Sequence, residues 1–176
     1  MSDLLTVAGS ILEQPNVWVA FALFCVGTMT QVSRMAKARR WPRDRLYAGR
    51  LAAASMSLAL AVTLARRTPG LSVDWRGCGG GTGFPIGDAE AVLNVALLVP
   101  WGIAAAYTLR RFWPVFLAGV GASLLIELVQ GLLGNGTCHS DDLVRNAAGA
   151  AIGAGIGLVV AQVYGPASAP EDADGR

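Results

Sequence analysis

Polar and ionisable side chains recur at intervals of three and four residues in the C-terminal half of the chain, inside otherwise apolar segments. They form one pair at i,i+4, one pair at i,i+3 and a trio at i, i+3 and i+4. These residues are Glu90, Asn94, Glu127, Gln130, Asp142, Arg145 and Asn146. On a helix each group lies on one face. Carboxylates and carboxamides placed together can bind a polar head group, and a carboxylate can also transfer protons.

The amino-acid composition indicates the environment of these polar side chains. Of the 176 residues, 53% are hydrophobic and only 15% charged, and the mean hydropathy is +0.48. Soluble domains carry about 25% charged residues, so the balance indicates a polytopic membrane protein. A net charge of +2 is too small to indicate a nucleic-acid partner.

Five segments are long and apolar enough to cross a bilayer as helices, which takes about 20 residues each. Continuous apolar runs favour helices over the alternating strands of a barrel. The predicted fold is therefore an all-α membrane protein, a bundle of about five transmembrane helices. The predicted spans are 14–33, 46–65, 91–109, 112–133 and 143–164.

Lys and Arg predict the orientation of the bundle, because they concentrate in cytoplasmic connections. With five spans, ten of them fall on the side of the 34–50 connection and four on the other. The N-terminus is then outside and the C-terminus cytoplasmic. The predicted organisation is a short N-terminal segment (1–13), two helices joined by a basic loop (14–66), an extracytoplasmic Gly-rich loop (67–89), a three-helix region (90–165) and a disordered cytoplasmic tail (166–176).

In this topology three helices bring polar groups to a similar depth in the outer leaflet, so spans three, four and five are expected to pack around one cluster. Arg145 is the expected counter-ion of Glu127 or Asp142. The cluster either pins the helices together or forms an outward-facing pocket with an acid ready for proton transfer, and both alternatives stay open. Small residues at intervals of four on span five permit close helix packing or, alternatively, a homodimer. They are Gly149, Gly153 and Gly157.

The three cysteines are Cys25, Cys78 and Cys138. Cys25 lies within the first span, where a small apolar side chain fits. Cys78 and Cys138 fall in predicted outer loops, so a disulfide between them is favoured. Two free thiols, or a metal site that also uses His139, are the alternatives. No paired Cys motif supports the metal site, so no metal is predicted.

Three blocks follow one another in the C-terminal half: EAVLNVALLVPWG at 90–102, SLLIELVQ at 123–130 and DLVRNAAGAAIG at 142–153. In this order and at this spacing they resemble the VanZ-like family of small bacterial membrane proteins, over about residues 88–160. The loop before Asp142 lacks the Arg that is common in the family, and Arg145 offers a cation nearby. The resemblance implies an envelope protein of the bacterial plasma membrane, related to a protein associated with low-level resistance to the glycopeptide teicoplanin.

The leading hypothesis is a protein without catalytic activity that binds a lipid-linked envelope component or a lipophilic glycopeptide through its outer polar cluster. One alternative is a membrane enzyme that acts on a lipid head group or carrier, with Glu127 or Asp142 as acid or base. Another is a small transporter or assembly partner, although five spans are few for a transporter. The chain has no Ser/His/Asp set, phosphate loop or metal motif, so the balance favours binding over catalysis and no cofactor is expected. The expected partners are the lipid bilayer, such a ligand and a second copy of the chain.

Overall fold

The computed structural model describes residue 6 and residues 9–65, 89–133 and 140–164. Five helices make up most of these residues, and all five are long and apolar enough to span a membrane. We number them α1 (Pro15–Ala38), α2 (Arg43–Leu64), α3 (Ala89–Leu109), α4 (Phe112–Leu133) and α5 (Ser140–Tyr164). The predicted all-helical fold with five spans is confirmed. The positions of the termini relative to the membrane stay a prediction.

Residues at the helix starts determine where the helices begin, and these positions do not always coincide with the ends of the apolar runs. Pro15 opens α1, and Pro42 immediately precedes α2. Proline lacks the N–H that a helix leaves unbonded in its first turn, so it fits these places. Helix α5 begins three residues before the predicted span and has Asp141 and Asp142 in its first turn. Carboxylates there complement the positive end of the helix dipole.

Helix α3 is the centre of the bundle, and it packs most extensively against α5. Leu98 is fully buried, and the ring of Trp101 is almost fully buried beside Ala150 and Ala154 of α5. Pro100 lies between them within a helix that continues unbroken to Leu109. The core is thus built largely from small side chains, which let helix backbones approach closely in a membrane.

The glycines of α5 lie directly against the backbone of α3. A Cβ at Gly149, Gly153 or Gly157 would run into a backbone carbonyl oxygen of α3, that of Val95, Val99 or Ile103 respectively. The spacing of four is therefore used for packing within one chain. A homodimer through the same stripe would require α3 to move away.

Helix α1 lies at the edge of the bundle and packs mainly on α2. Thr28 and Ser57 share a hydrogen bond of 2.9 Å across this pair. Cys25 is a half-buried free thiol, as its place in the first span predicts. Cys78, Cys138 and His139 lie outside the described residues, as do the 67–88 part of the Gly-rich loop and the 166–176 tail. The disulfide, the alternative metal site and the disorder of the tail stay predictions.

Candidate functional site

Asp142 joins α3 and α5 at the end of the bundle where α5 begins. Its Oδ1 atom accepts a hydrogen bond of 2.7 Å from Asn94 Nδ2 and one of 3.0 Å from Arg145 Nη1. The bond to Arg145 is an ion pair one helical turn along α5, and the guanidinium is nearly buried. Of the two expected counter-ion pairs for Arg145, the structure contains the one with Asp142. The pair offsets the charge of a carboxylate held at this end of the bundle.

Asn146 lies one turn deeper and links α5 to α4. Its Nδ2 atom donates to Ser123 Oγ over 3.1 Å, and both side chains are buried. The other amide atom, Oδ1, is also buried and has no hydrogen-bond partner among the described residues. A buried carbonyl oxygen without a donor costs free energy, so it is a place where a ligand can supply one.

Gln130 bonds to α2, although its i,i+3 spacing from Glu127 groups it with the polar residues of α3, α4 and α5. Its Nε2 atom donates to the backbone oxygen of Thr63 over 2.9 Å, in the last turn of α2. Asn16 of α1 similarly donates to the oxygen of Ala65. The last carbonyls of a helix have no partner within it, so these two carboxamides satisfy the end of α2. Gln130 therefore ties α2 to the same end of the bundle as the other polar groups.

A cavity of about 220 Å³ opens between these groups. Polar side chains from four helices line one part of it, and apolar side chains line the rest. The polar lining consists of Thr63, Asn94, Glu127, Gln130, Asp142 and Asn146. The apolar lining consists of Ile11, Leu12, Leu58, Val62, Leu93, Leu97 and Ile126. Such a cavity suits an amphiphile with a hydrogen-bonding head and an apolar part.

The structure thus brings five of the seven sequence-predicted residues to the cavity, with Arg145 behind Asp142. Glu127 is half-buried and faces the cavity, which agrees with the expectation that an acid within a membrane turns toward the bundle interior. Glu90 belongs to the first turn of α3, but its side chain lies outside the described part of the chain.

The candidate residues named from the sequence leave out three contributors to the site. Ser123 already lies on the face of α4 that carries Glu127, so the i,i+4 spacing was a usable signal for it. Thr63 and the short helical segment that contains Ile11 are far from the polar blocks in sequence. Their part in the cavity depends on how α2 and the N-terminal residues pack, which no local spacing reveals.

No metal centre is formed by the described ranges, because no group of three His, Cys, Asp or Glu residues occurs within them. The polar lining instead offers carboxylate and carboxamide groups with mixed donors and acceptors. This set recognises hydroxyl and amine groups by hydrogen bonding. Two of the acceptors, Glu127 and Asp142, are also carboxylates that can attract a cationic group.

The helices and the cavity together define a multi-pass membrane protein with a polar pocket at one end of its bundle. The sequence model of the VanZ/LLP1 family matches residues 17–161. The chain belongs to this VanZ-like family, and the match extends the resemblance from the three C-terminal helices to α1 and α2. No curated protein and no solved structure gives a significant match.

Proposed function

We propose that this VanZ-like protein binds an amphiphilic component of the bacterial cell envelope in the polar cavity, from the outer face of the plasma membrane. The ligand is a lipid-linked saccharide or a lipophilic glycopeptide. The observation that carries the proposal is Asn146, which lines an amphiphilic cavity and whose buried Oδ1 atom lacks a donor among the described residues. A ligand hydroxyl or amine would supply that donor.

The position of the cavity supports this ligand class. Thr63 lies near the end of α2, Asn94 near the start of α3, Gln130 near the end of α4 and Asp142 near the start of α5. All four therefore belong to the same end of the bundle. In the orientation that the cationic residues predict, this end is the outer one. A saccharide head could enter there while its lipid stays in the bilayer.

The two chemical parts of the cavity support an amphiphile over a free sugar. Leu93 and Leu97 line it from α3, and Leu58 and Val62 line it from α2. These apolar walls would gain little from a fully polar ligand. A head group with one or two donors and an adjoining apolar segment satisfies both parts.

Photocrosslinking tests the proposal with two defined probes, a photoreactive undecaprenyl-linked saccharide and a photoreactive lipophilic glycopeptide. We expect at least one probe to label the purified protein, and Asn146→Ala and Glu127→Gln to reduce that labelling about tenfold, since a lost hydrogen bond to a buried or charged group costs about 1–3 kcal/mol. Thr30→Ala is the matched control, because Thr30 is exposed on α1 and bonds only within its own helix.

Equal labelling of the wild type and both cavity variants, all with unchanged thermal unfolding, would exclude this cavity as the site. The same samples distinguish binding from the enzymatic alternative. Oδ1 of Asp142 already accepts bonds from Asn94 and Arg145, which favours a role in positioning over one in proton transfer. Conversion of the undecaprenyl-linked probe that is abolished by Glu127→Gln would instead establish an enzyme.

A further inference from the structure

A second and larger cavity lies at the opposite half of the bundle, between α1, α2 and α3. Its volume is about 520 Å³. One wall is a single face of α1 that runs from Leu23 to Met35, and Ala53 of α2 and Trp101 of α3 belong to the other walls. The proposed function does not use this groove, and no residue of the polar cavity lines it.

The lining of the groove is mostly apolar, and its polar side chains are Thr28, Thr108 and the exposed Gln31. The hydroxyl of Thr28 is bonded to Phe24 O and to Ser57 Oγ, and that of Thr108 donates to Ala104 O. Both hydroxyls therefore have partners within the bundle. These walls offer few free hydrogen-bonding groups to a polar ligand. A hydrocarbon chain has no hydrogen bonds to give up when it leaves water, so its burial here carries no such cost.

The length of the groove corresponds to one leaflet of a membrane. Leu23 and Met35 are twelve residues apart on α1, so the groove extends for about 18 Å at 1.5 Å per residue. Half of a hydrocarbon core of about 30 Å is about 15 Å. The groove thus covers the depth that an acyl chain of a single leaflet occupies.

One end of the groove lies beside the most cationic segment of the protein. Trp41 lines the groove, and a Cβ at Gly49 would come within 3.1 Å of its ring. The residues around this tryptophan carry seven cations between positions 34 and 50, and Asp44 is the only acid among them. None of the seven has an ion pair within the described part of the chain. These cations are Arg34, Lys37, Arg39, Arg40, Arg43, Arg45 and Arg50.

We propose that the groove binds one acyl chain of an anionic phospholipid, whose phosphate head lies against the cations around Trp41. Apolar walls hold the chain, and the uncompensated positive charge selects a negative head group. Juxtamembrane Lys and Arg attract anionic lipids by about 1 kcal/mol each, which is about fivefold in affinity for each charge. The lipid comes from the leaflet that faces the 34–50 segment.

Gly27 offers a sharp test, because it lines the groove and a Cβ there would meet no protein atom within 4 Å. Phenylalanine at this position would enter the groove without disturbing the helices. Gly121 of α4 is equally open but lies outside the groove, so Gly121→Phe is the matched control. The double variant Lys37→Gln/Arg39→Gln removes charge and leaves the walls intact.

Native mass spectrometry of the purified full chain measures the binding of dioleoylphosphatidylglycerol and dioleoylphosphatidylcholine. We expect the wild type and Gly121→Phe to prefer the anionic lipid, and Gly27→Phe to bind less of both lipids. The double variant should lose only the anionic preference, by about fivefold for each charge removed. Equal binding of both lipids by the wild type, or equal binding by both phenylalanine variants, would overturn the proposal.

A measurement on the wild-type protein covers the case in which Gly27→Phe does not fold. Dibrominated phosphatidylglycerol should quench the fluorescence of Trp41 more than dibrominated phosphatidylcholine at the same mole fraction. The extra quenching should decrease in Trp41→Phe, and the remainder should come from Trp101, which also lines the groove. Identical quenching by the two lipids would overturn the proposal. A dimer that excludes both lipids would show that a second copy of the chain is the occupant.

Discussion

Asn146 uses the two atoms of its amide in different ways, and this difference separates a structural role from a functional one. Nδ2 has Ser123 Oγ as its acceptor, whereas Oδ1 is buried without a donor among the described residues. A side chain selected only to pin helices would satisfy both atoms, because each unsatisfied buried group costs about 1–3 kcal/mol. Asn146 thus carries a cost in the absence of ligand, as residues at binding sites commonly do.

The first prediction is that Asn146→Leu keeps the thermal stability of the wild type or raises it, while it abolishes crosslinking to the amphiphilic probe. The substitution removes the unsatisfied oxygen and nearly preserves the volume. Ser123, left without its donor, can bond to a carbonyl of its own helix. Thermal unfolding in detergent and crosslinking yield, measured on the same preparation, test the two halves of the expectation.

Ser123→Ala is the informative comparison for this prediction. It deletes the acceptor and leaves Nδ2 of Asn146 buried without a partner, so we expect a destabilisation of about 1–3 kcal/mol. A large loss of stability in Asn146→Leu, equal to that in Ser123→Ala, would indicate that the polar pair serves mainly to hold α4 and α5 together.

At the scale of elements, α3 and α5 pack more extensively than any other pair of the described helices. Gly153 lies so near to α3 that a Cβ would be 3.0 Å from the Cα of Gly102 and would overlap the oxygen of Val99. This approach brings the start of α5 near the start of α3, where Asn94 and Asp142 form their hydrogen bond. The contact of Gly153 with the α3 backbone therefore helps to position Asn146 and Asp142, which lie two to three helical turns away along α5.

The second prediction concerns this contact. Gly153→Ala should destabilise the protein by about 1–3 kcal/mol, because the added methyl forces two backbones apart. Gly155→Ala is the matched control on the same helix, since a Cβ there meets nothing within 4 Å. Thermal unfolding of the two variants measures the difference. Equal unfolding temperatures would mean that α3 and α5 are not in contact through this face.

The sequence predicts the elements better than their mutual arrangement. Apolar runs predict all five helices, because a bilayer leaves few alternatives to a helix of about 20 residues. The spacing of four predicts that Gly149 and Gly153 lie at a close interface, but it cannot distinguish α3 from a second chain. The bond from Gln130 to Thr63 joins residues 67 apart in the chain, and so it follows only from the packed fold.

At the scale of the whole molecule, the described residues at the two ends of the bundle differ in charge. The end that contains the polar cavity has Asp142 and Glu127 near the helix termini. The other end has the cationic 34–50 segment and, beside it, Arg110, which donates to Ala161 O and lies 5.7 Å from the ring centre of Tyr107. The proposed function requires the first end to face outward, and the lipid groove belongs to the second.

The last prediction is that the cationic end is cytoplasmic. Lys and Arg resist translocation, and seven of the 14 in the chain lie in the 34–50 segment, so its retention inside should dominate the orientation. In a variant without native cysteines, Arg39→Cys should react with a membrane-impermeant maleimide only after the cells are permeabilised. A cysteine restored at position 138 alone should react in intact cells, because five spans place that connection on the opposite side. The reverse pattern would direct the polar cavity toward the cytoplasm, and the ligand would then have to come from the inner leaflet.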